Sequence, residues 1–149
     1  MLFINSSVTS KTIYEQNIEL AHAGDPIAQY NLGYMFQQGE GVSQDYKKAA
    51  EWYSTAAAQG DVDAHYNLGI MHLNGEGIPQ NYEQAFQLFK VAATQDAAAA
   101  YSLAYMYKKG LGRDINLAQA NTWYLKAANL GGAQSQFYLD MCHLMGKMV

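Results

Sequence analysis

The chain has 149 residues, half of them hydrophobic and 15% charged, which is typical of a folded protein and excludes an intrinsically disordered one. A formal net charge of −4 argues against a nucleic-acid partner, because such proteins need a basic surface to displace counterions from phosphates. The single cysteine, Cys142, excludes an intramolecular disulfide and a thiolate metal cluster.

A helical period of apolar residues begins near the N-terminus and continues along the chain. Ala28, Leu32, Met35 and Phe36 follow one another at i, i+4, i+7 and i+8, which places them on one face of a helix. The second half of the same unit keeps this period. We predict that the chain has no strands. We predict helices at 11–23, 26–38, 46–59, 62–74, 82–94, 97–109, 117–130 and 133–146.

The helices come in repeated pairs. Residues 28–35, 64–71 and 99–106 can be superimposed, with start-to-start spacings of 36 and then 35 residues, and a fourth copy begins at Ser135. A second shared segment follows each of the first three copies, so each repeat has a helix A and a helix B. Helix A has a small residue, at Gly33, Gly69 and Ala104, which allows the paired helix to approach closely.

The ends of the helices have suitable residues. Gly39 follows the first helix A and favours the left-handed conformation that ends a helix. Asp45, Asn81 and Asn116 occupy the N-cap position of helix B, and Pro26 suits the first turn of helix A. Asp61 and Asp63 also have the appearance of caps. The turns are therefore consistent with the predicted helices.

These features together resemble a known family. The first full repeat contains Ala-x-x-x-Leu-Gly-x-x-Phe-x-x-Gly-x-Gly-Val and then Asp-Tyr-x-x-Ala-x-x-Trp-Tyr-x-x-Ala-Ala-x-x-Gly-Asp, which is similar to the Sel1-like repeat, a relative of the tetratricopeptide repeat. The resemblance implies an all-α, right-handed solenoid of about eight antiparallel helices. It implies an N-terminal tail at 1–10 and one domain at 11–149, divided into a half repeat 11–25, repeats 26–61, 62–96 and 97–132, and a terminal helix 133–149.

The resemblance also implies a function in protein–protein interaction. The chain would be a scaffold or adaptor that binds a partner protein or peptide in a concave groove lined by the A helices. The alternative is an immunity-type inhibitor that neutralises a secreted toxin, and the sequence does not decide between the two. The expected binding residues are Asn31, Tyr34, Gln38, Asn67, Ile70, Asn74, Ser102, Tyr105, Lys109, Tyr138 and Met141.

Some of these residues have a second interpretation. Asn31 and Asn67 could equally serve only to satisfy the backbones of neighbouring helices. The aromatic residues that recur two positions after the repeat alanine are predicted to pack between helices, and they are Tyr30, Tyr66, Tyr101 and Phe137.

No pattern of residues indicates catalysis. His65 and His72 lie seven residues apart on one helix, which is too far for a shared metal, and His72 occupies the aromatic position of Phe36. Cys142 occupies the core position of Met35. We therefore predict a protein that is not an enzyme and that has no cofactor or metal.

The two ends of the chain bear on location and assembly. The N-terminus lacks the basic region of a signal peptide, and no apolar stretch reaches the roughly 20 residues that cross a bilayer, so we expect a cytoplasmic protein without a membrane partner. The terminal helix is rich in apolar residues, and some of them are expected to lack an intrachain partner; the candidates are Phe137, Tyr138, Met141, Leu144 and Met145. This helix would mediate a homodimer, meet the partner protein, or fold over as a simple cap.

Overall fold

The computed structural model describes residues 10–146, and within this range the chain forms eight helices and no strand. The all-α prediction is confirmed. The helices are α1 (Ile13–His22), α2 (Pro26–Gln38), α3 (Tyr46–Ala58), α4 (Val62–Asn74), α5 (Tyr82–Ala92), α6 (Ala97–Lys109), α7 (Leu117–Asn129) and α8 (Ala133–Leu144). The predicted tail at 1–10, apart from Ser10, and the last three residues of the predicted terminal helix lie outside the described residues.

The helices form a solenoid in which contacts run between consecutive elements. The most extensive contacts join helix A to helix B of the same repeat, in the pairs α2–α3, α4–α5 and α6–α7. Each helix B also packs against the next helix A. In this series α1 takes the place of a helix B, and α8 takes the place of a fourth helix A. None of the helices in the described range is long and apolar enough to span a membrane.

Local sequence explains where the helices begin and end. The side chains of Asp45, Asn81 and Asn116 each accept a hydrogen bond from a backbone N–H in the first turn of α3, α5 and α7. Gly39 ends α2 with a φ of 72°, and its N–H donates to the carbonyl oxygen of Met35 at 2.8 Å. The caps predicted at these four positions are therefore present.

In the first two repeats, an aromatic ring of helix B packs against a glycine of helix A. A Cβ built on Gly33 would lie 2.5 Å from Cδ1 of Tyr53, and one built on Gly69 would lie 2.6 Å from Cε1 of Phe89. We call this position of helix A the notch. Because the ring occupies the space that a side chain would need, the notch sets how closely the two helices approach.

The aromatic residues two positions after the repeat alanine pack on the same rings. The ring centroids are 5.6 Å apart for Tyr30 and Tyr53, and 5.3 Å apart for Tyr101 and Tyr124. Tyr66 packs likewise, so the predicted role of these three residues in inter-helix packing is confirmed. The prediction is wrong for Phe137, which is exposed because no helix B follows α8 among the described residues.

Two departures from the repeat pattern have local explanations. Arg113 occupies the turn position that holds Val42 and Ile78 in the first two repeats. Its guanidinium carbon lies 3.1 Å from the ring centroid of Phe86, and its Nη2 lies 3.3 Å from Glu83 Oε2. Cys142 is only half-buried, whereas its counterpart Met106 is fully buried. The sulfur is therefore only partly in the core, because no helix B follows α8 among the described residues.

Candidate functional site

The predicted binding residues lie on the side of the A helices that faces away from the B helices. Ala28, Leu32 and Met35 are buried against the neighbouring helices, which leaves the opposite side of α2 free. The equivalent side of α4, α6 and α8 continues this surface. We call it the groove face.

An apolar row runs along the groove face, with one residue from each helix A. The row consists of Tyr34, Ile70, Tyr105 and Met141. Tyr34, Tyr105 and Met141 are 41%, 38% and 40% exposed, and Ile70 is half-buried. Large apolar side chains at this degree of exposure in successive helices form a surface on which another molecule could bury area.

A polar row beside it is largely occupied with contacts inside the protein. Nδ2 of Asn31 donates to Oδ1 of Asn17 at 3.1 Å, and Nδ2 of Asn67 donates to the hydroxyl of Tyr30 at 3.4 Å. Both amides therefore bond to side chains on other helices, and not to helix backbones as the alternative interpretation expected. Ser102, the third member of the row, is buried and presents almost no surface to a ligand.

The tyrosine hydroxyls of these contacts stay protonated. Burial raises the pKa of Tyr30, and the hydrogen bond from Asn67 lowers it by a smaller amount. Burial likewise raises the pKa of Tyr53, whose hydroxyl donates to Oε1 of Gln37 at 2.7 Å. These groups act as neutral hydrogen-bonding partners that hold the helices in register.

The C-terminal ends of the A helices contribute exposed polar side chains. Gln38, Asn74 and Lys109 are all exposed. Nδ2 of Asn74 lies 3.3 Å from Oε1 of Glu76, so this amide is only loosely held. These three side chains are free to bond to a ligand at this edge of the groove face.

Carboxylates gather at the opposite edge of the groove face, where the A helices begin. Asp61 caps α4 by accepting from the N–H of Ala64 at 2.7 Å, and Asp96 caps α6. Asp63 is not a cap, contrary to the prediction, because it lies within the first turn of α4. Partial burial, followed by the charges of Asp61 and Asp96, raises its pKa above the usual value. This edge is therefore acidic.

At α8 the groove face opens into a cavity of about 530 Å³. Its lining residues are Tyr101, Ala133, Gln134, Phe137, Tyr138 and Met141. Sequence reasoning placed Tyr138 and Met141 in the site but assigned Tyr101 and Phe137 to packing. The apolar composition of the terminal helix also predicts that some of its side chains lack an intrachain partner, and the exposed Phe137 is one of them.

Tyr138 connects this cavity to the core. Its ring centroid lies 3.9 Å from that of Tyr124, and Nζ of Lys108 lies 4.5 Å from the Tyr138 centroid. Burial, together with the neighbouring Cys142, raises the pKa of Tyr138 to about 12.

Within residues 10–146, no cluster of three or more His, Cys, Asp or Glu side chains is placed to hold a metal ion. The groove face presents aromatic side chains and hydrogen-bonding groups, which are typical of surfaces that bind other proteins.

Comparison with known proteins agrees with this architecture. The profile of the Sel1 repeat matches residues 26–61, 62–96 and 97–132. The crystal structure of a Sel1 repeat protein from Oxalobacter formigenes is 32% identical, with a TM-score of 0.86 over 90% of this chain and 55% of that one. Among curated proteins, no significant match was found.

Two further solved structures are similar. A protective antigen present in uropathogenic Escherichia coli strains, which displays an SLR fold, is 31% identical, with a TM-score of 0.86 over 91% of this chain and 30% of its own. Helicobacter pylori cysteine rich protein B, at 21% identity and a TM-score of 0.66 over 85% of this chain and 97% of its own, shows the fold alone. This chain spans only part of the first two proteins. By its three matched repeats, the chain belongs to the Sel1 repeat family.

Proposed function

We propose that this protein is a scaffold or adaptor that holds a segment of a partner protein against the groove face. Sel1 repeats and their tetratricopeptide-like relatives generally mediate protein–protein interactions, and the family is typically non-enzymatic. The observation that carries the proposal is the apolar row, where Tyr34, Tyr105 and Met141 remain exposed on successive A helices. Tyrosine is enriched among the residues that dominate binding energy, where truncation to alanine costs about 2 kcal/mol or more.

The polar groups on either side of the row support this proposal and define the partner's chemistry. Gln38, Asn74 and Lys109 would bond to the backbone of a bound segment at one edge. At the other edge the carboxylate of Asp63 lies beside the capping aspartates, which favours lysine or arginine in the partner. The polar row of Asn31, Asn67 and Ser102 keeps the A helices in place and contributes little direct contact.

A double substitution in the apolar row tests the proposal. Tyr34→Ala with Tyr105→Ala removes both exposed rings, and tagged protein would be used to capture partners from a lysate of the source cell. We expect at least one protein that wild type retains to be reduced by about tenfold or more. Melting should change little, since neither ring is buried in the core.

A matched control removes two exposed apolar side chains from the B helices. Val91→Ala with Leu125→Ala changes α5 and α7, and both residues are at least half exposed. This variant should retain the partner at the wild-type level. Equal loss with both variants, or full retention by the groove-face variant, would contradict the proposal.

The identity of the captured protein separates an adaptor from an immunity-type inhibitor. An inhibitor would retain a toxin through the groove face and would abolish the activity of that toxin at equimolar concentration. An adaptor would retain a protein whose own activity continues in the complex. The same double substitution should weaken binding in either case.

A further inference from the structure

An aromatic pair joins neighbouring helices at two of the junctions where one unit of the solenoid meets the next. At the junction of α1 with α2, the rings of Tyr14 and Phe36 have centroids 6.2 Å apart and planes at 88°. At the junction of α5 with α6, the rings of Phe86 and Tyr107 have centroids 5.4 Å apart and planes at 85°. Both pairs have the edge-to-face geometry that aromatic rings prefer.

The junction of α3 with α4, which lies between these two, has no such pair. The repeat spacing of 36 residues places Ala50 at the position of Tyr14 and Phe86, and it places His72 at the position of Phe36. A cavity of about 500 Å³ opens between the two helices at this junction. Its lining residues include Lys47, Ala50, Glu51, Leu68, His72 and Ile78.

The inner part of this cavity is suited to an aromatic ring. Ala50 and Leu68 are buried and Ile78 is half-buried, so the inner wall is apolar. In α7 the corresponding position holds Asn121, whose amide is polar. The imidazole of His72 is half-buried, and its Nδ1 has no hydrogen-bond partner among the described residues. Burial lowers the pKa of His72, so the imidazole is uncharged at neutral pH and can pack against a ring.

The rim of the cavity is charged. Lys47 and Glu51 lie one turn apart on α3, and both side chains are exposed. Within residues 10–146, neither of them forms a salt bridge. Both charges are therefore available to groups that flank a bound ring. A peptide segment carries such groups beside an aromatic residue, whereas a small hydrocarbon would use neither charge.

The cavity lies away from the groove face. His72 follows Ile70 by two residues, and two residues of an α-helix correspond to a rotation of about 200°. The side chain that lines the cavity and the side chain in the apolar row are therefore on nearly opposite sides of α4. A ligand in the cavity leaves the groove face accessible.

We propose that the cavity between α3 and α4 is a second protein-binding site, which takes up one aromatic side chain of a partner segment where the neighbouring junctions have a ring of their own. This goes beyond the proposed function and does not depend on it, because the cavity shares no residue with the groove face. The ring packs on Ala50, Leu68 and Ile78, and charged residues beside it pair with Lys47 and Glu51. A single ring buries little area, so an isolated aromatic residue should bind with a Kd on the order of 1–10 mM.

Methyl NMR with a blocked amino acid tests the preference for a ring. N-acetyl-tyrosinamide is titrated into the protein, and the methyl signals of Leu68 and Ile78 are followed. We expect saturable shifts for wild type and at least about threefold weaker binding of N-acetyl-leucinamide. In Ala50→Phe the protein's own ring occupies the position, and the shifts should be lost. Absent shifts in wild type, or equal affinity for the two compounds, would overturn the proposal.

Selection from a displayed library of random eight-residue peptides tests whether the occupant is a protein segment. Peptides that wild type retains should bind at least about tenfold less to Ala50→Phe and should share an aromatic residue. The groove-face variant Tyr34→Ala with Tyr105→Ala should retain the same peptides, which separates this site from the proposed function. A selection without peptides that depend on Ala50, or with such peptides that lack an aromatic residue, would refute a peptide ligand.

Exchanging the rim charges tests the site without relying on the folding of Ala50→Phe. Lys47→Glu with Glu51→Lys changes only exposed side chains, and circular dichroism should show unchanged helix content. Peptides selected on this variant should keep the aromatic residue and show the opposite charges beside it. Lys126→Glu, at an exposed position of α7 outside the cavity, serves as the control and should select the same charges as wild type. An unchanged charge preference in the exchanged variant would contradict binding at this rim.

Discussion

Adding one methyl group at the notch of α4 tests the packing that sets the spacing of the solenoid. In Gly69→Ala, the new Cβ would lie 2.6 Å from Cε1 of Phe89, a ring that is fully buried, so the ring or the helix must shift. Overpacking of this kind costs about 1–3 kcal/mol, and alanine recovers about 1 kcal/mol of helix propensity relative to glycine. We therefore expect a net destabilisation of roughly 0–2 kcal/mol, averaging about 1 kcal/mol.

A double-mutant cycle separates the two contributions. Phe89→Ala removes the ring and destabilises the protein by about 3–5 kcal/mol. In that background the clash is gone, so Gly69→Ala should stabilise the protein by about 1 kcal/mol through helix propensity and partial filling of the cavity. The effect of the same methyl group should thus change sign with the presence of the ring.

Urea unfolding followed by far-UV circular dichroism measures these differences, with the m-value checked for each variant. The third repeat supplies a control, because Ala104 already occupies the notch there. Ala104→Gly should destabilise the protein by about 1 kcal/mol. If Gly69→Ala stabilises the protein in both backgrounds, the ring does not limit the approach of α5 to α4, and the role assigned to the notch is refuted.

Two further changes test individual side chains of the core. Partial burial lowers the pKa of His72. The stability that the neutral imidazole gives the folded protein is therefore fully present above the ordinary pKa of 6.5, and it is lost as the pH falls below that value. His72→Phe should remove this loss in thermal melts between neutral and acidic pH, and an unchanged pH dependence of the melting temperature would contradict the assignment. Tyr53→Phe removes the hydrogen bond to Gln37 and should cost about 0.5–1.5 kcal/mol in urea unfolding. Adding Gln37→Leu recreates the apolar pair of Phe89 and Leu73 and should recover most of this cost, whereas a further loss would argue against the equivalence of the two repeats.

The elements of the fold and their boundaries follow from the sequence. The caps at Asp45, Asn81 and Asn116 and the helix-ending Gly39 act within a few residues of themselves, so their roles depend only on local chemistry. The notch at Gly69 was also predictable, because an internal repeat shows the same small residue facing the same kind of partner.

The candidate site was less predictable, although its location on the A helices was expected. Helical period places Asn31, Asn67 and Ser102 on the same row, but it does not show that the two amides are bonded to neighbouring helices or that Ser102 is buried. These contacts depend on side chains that lie on other helices. The prediction that Asp63 is a cap failed for a local reason, because Asp61, two residues earlier, already caps α4.

The sequence by itself therefore determined the repeat, the helix boundaries and the residues that pair helix A with helix B, because each rests on local propensity or on a period that the chain displays three times. Only the tertiary structure decided which side chains remain accessible. Phe137 occupies the position of a packed aromatic residue and is nevertheless exposed, as is Ile13 at the position of a buried alanine. Burial is a property of the neighbouring helix, and at the two ends of the described solenoid that neighbour is missing.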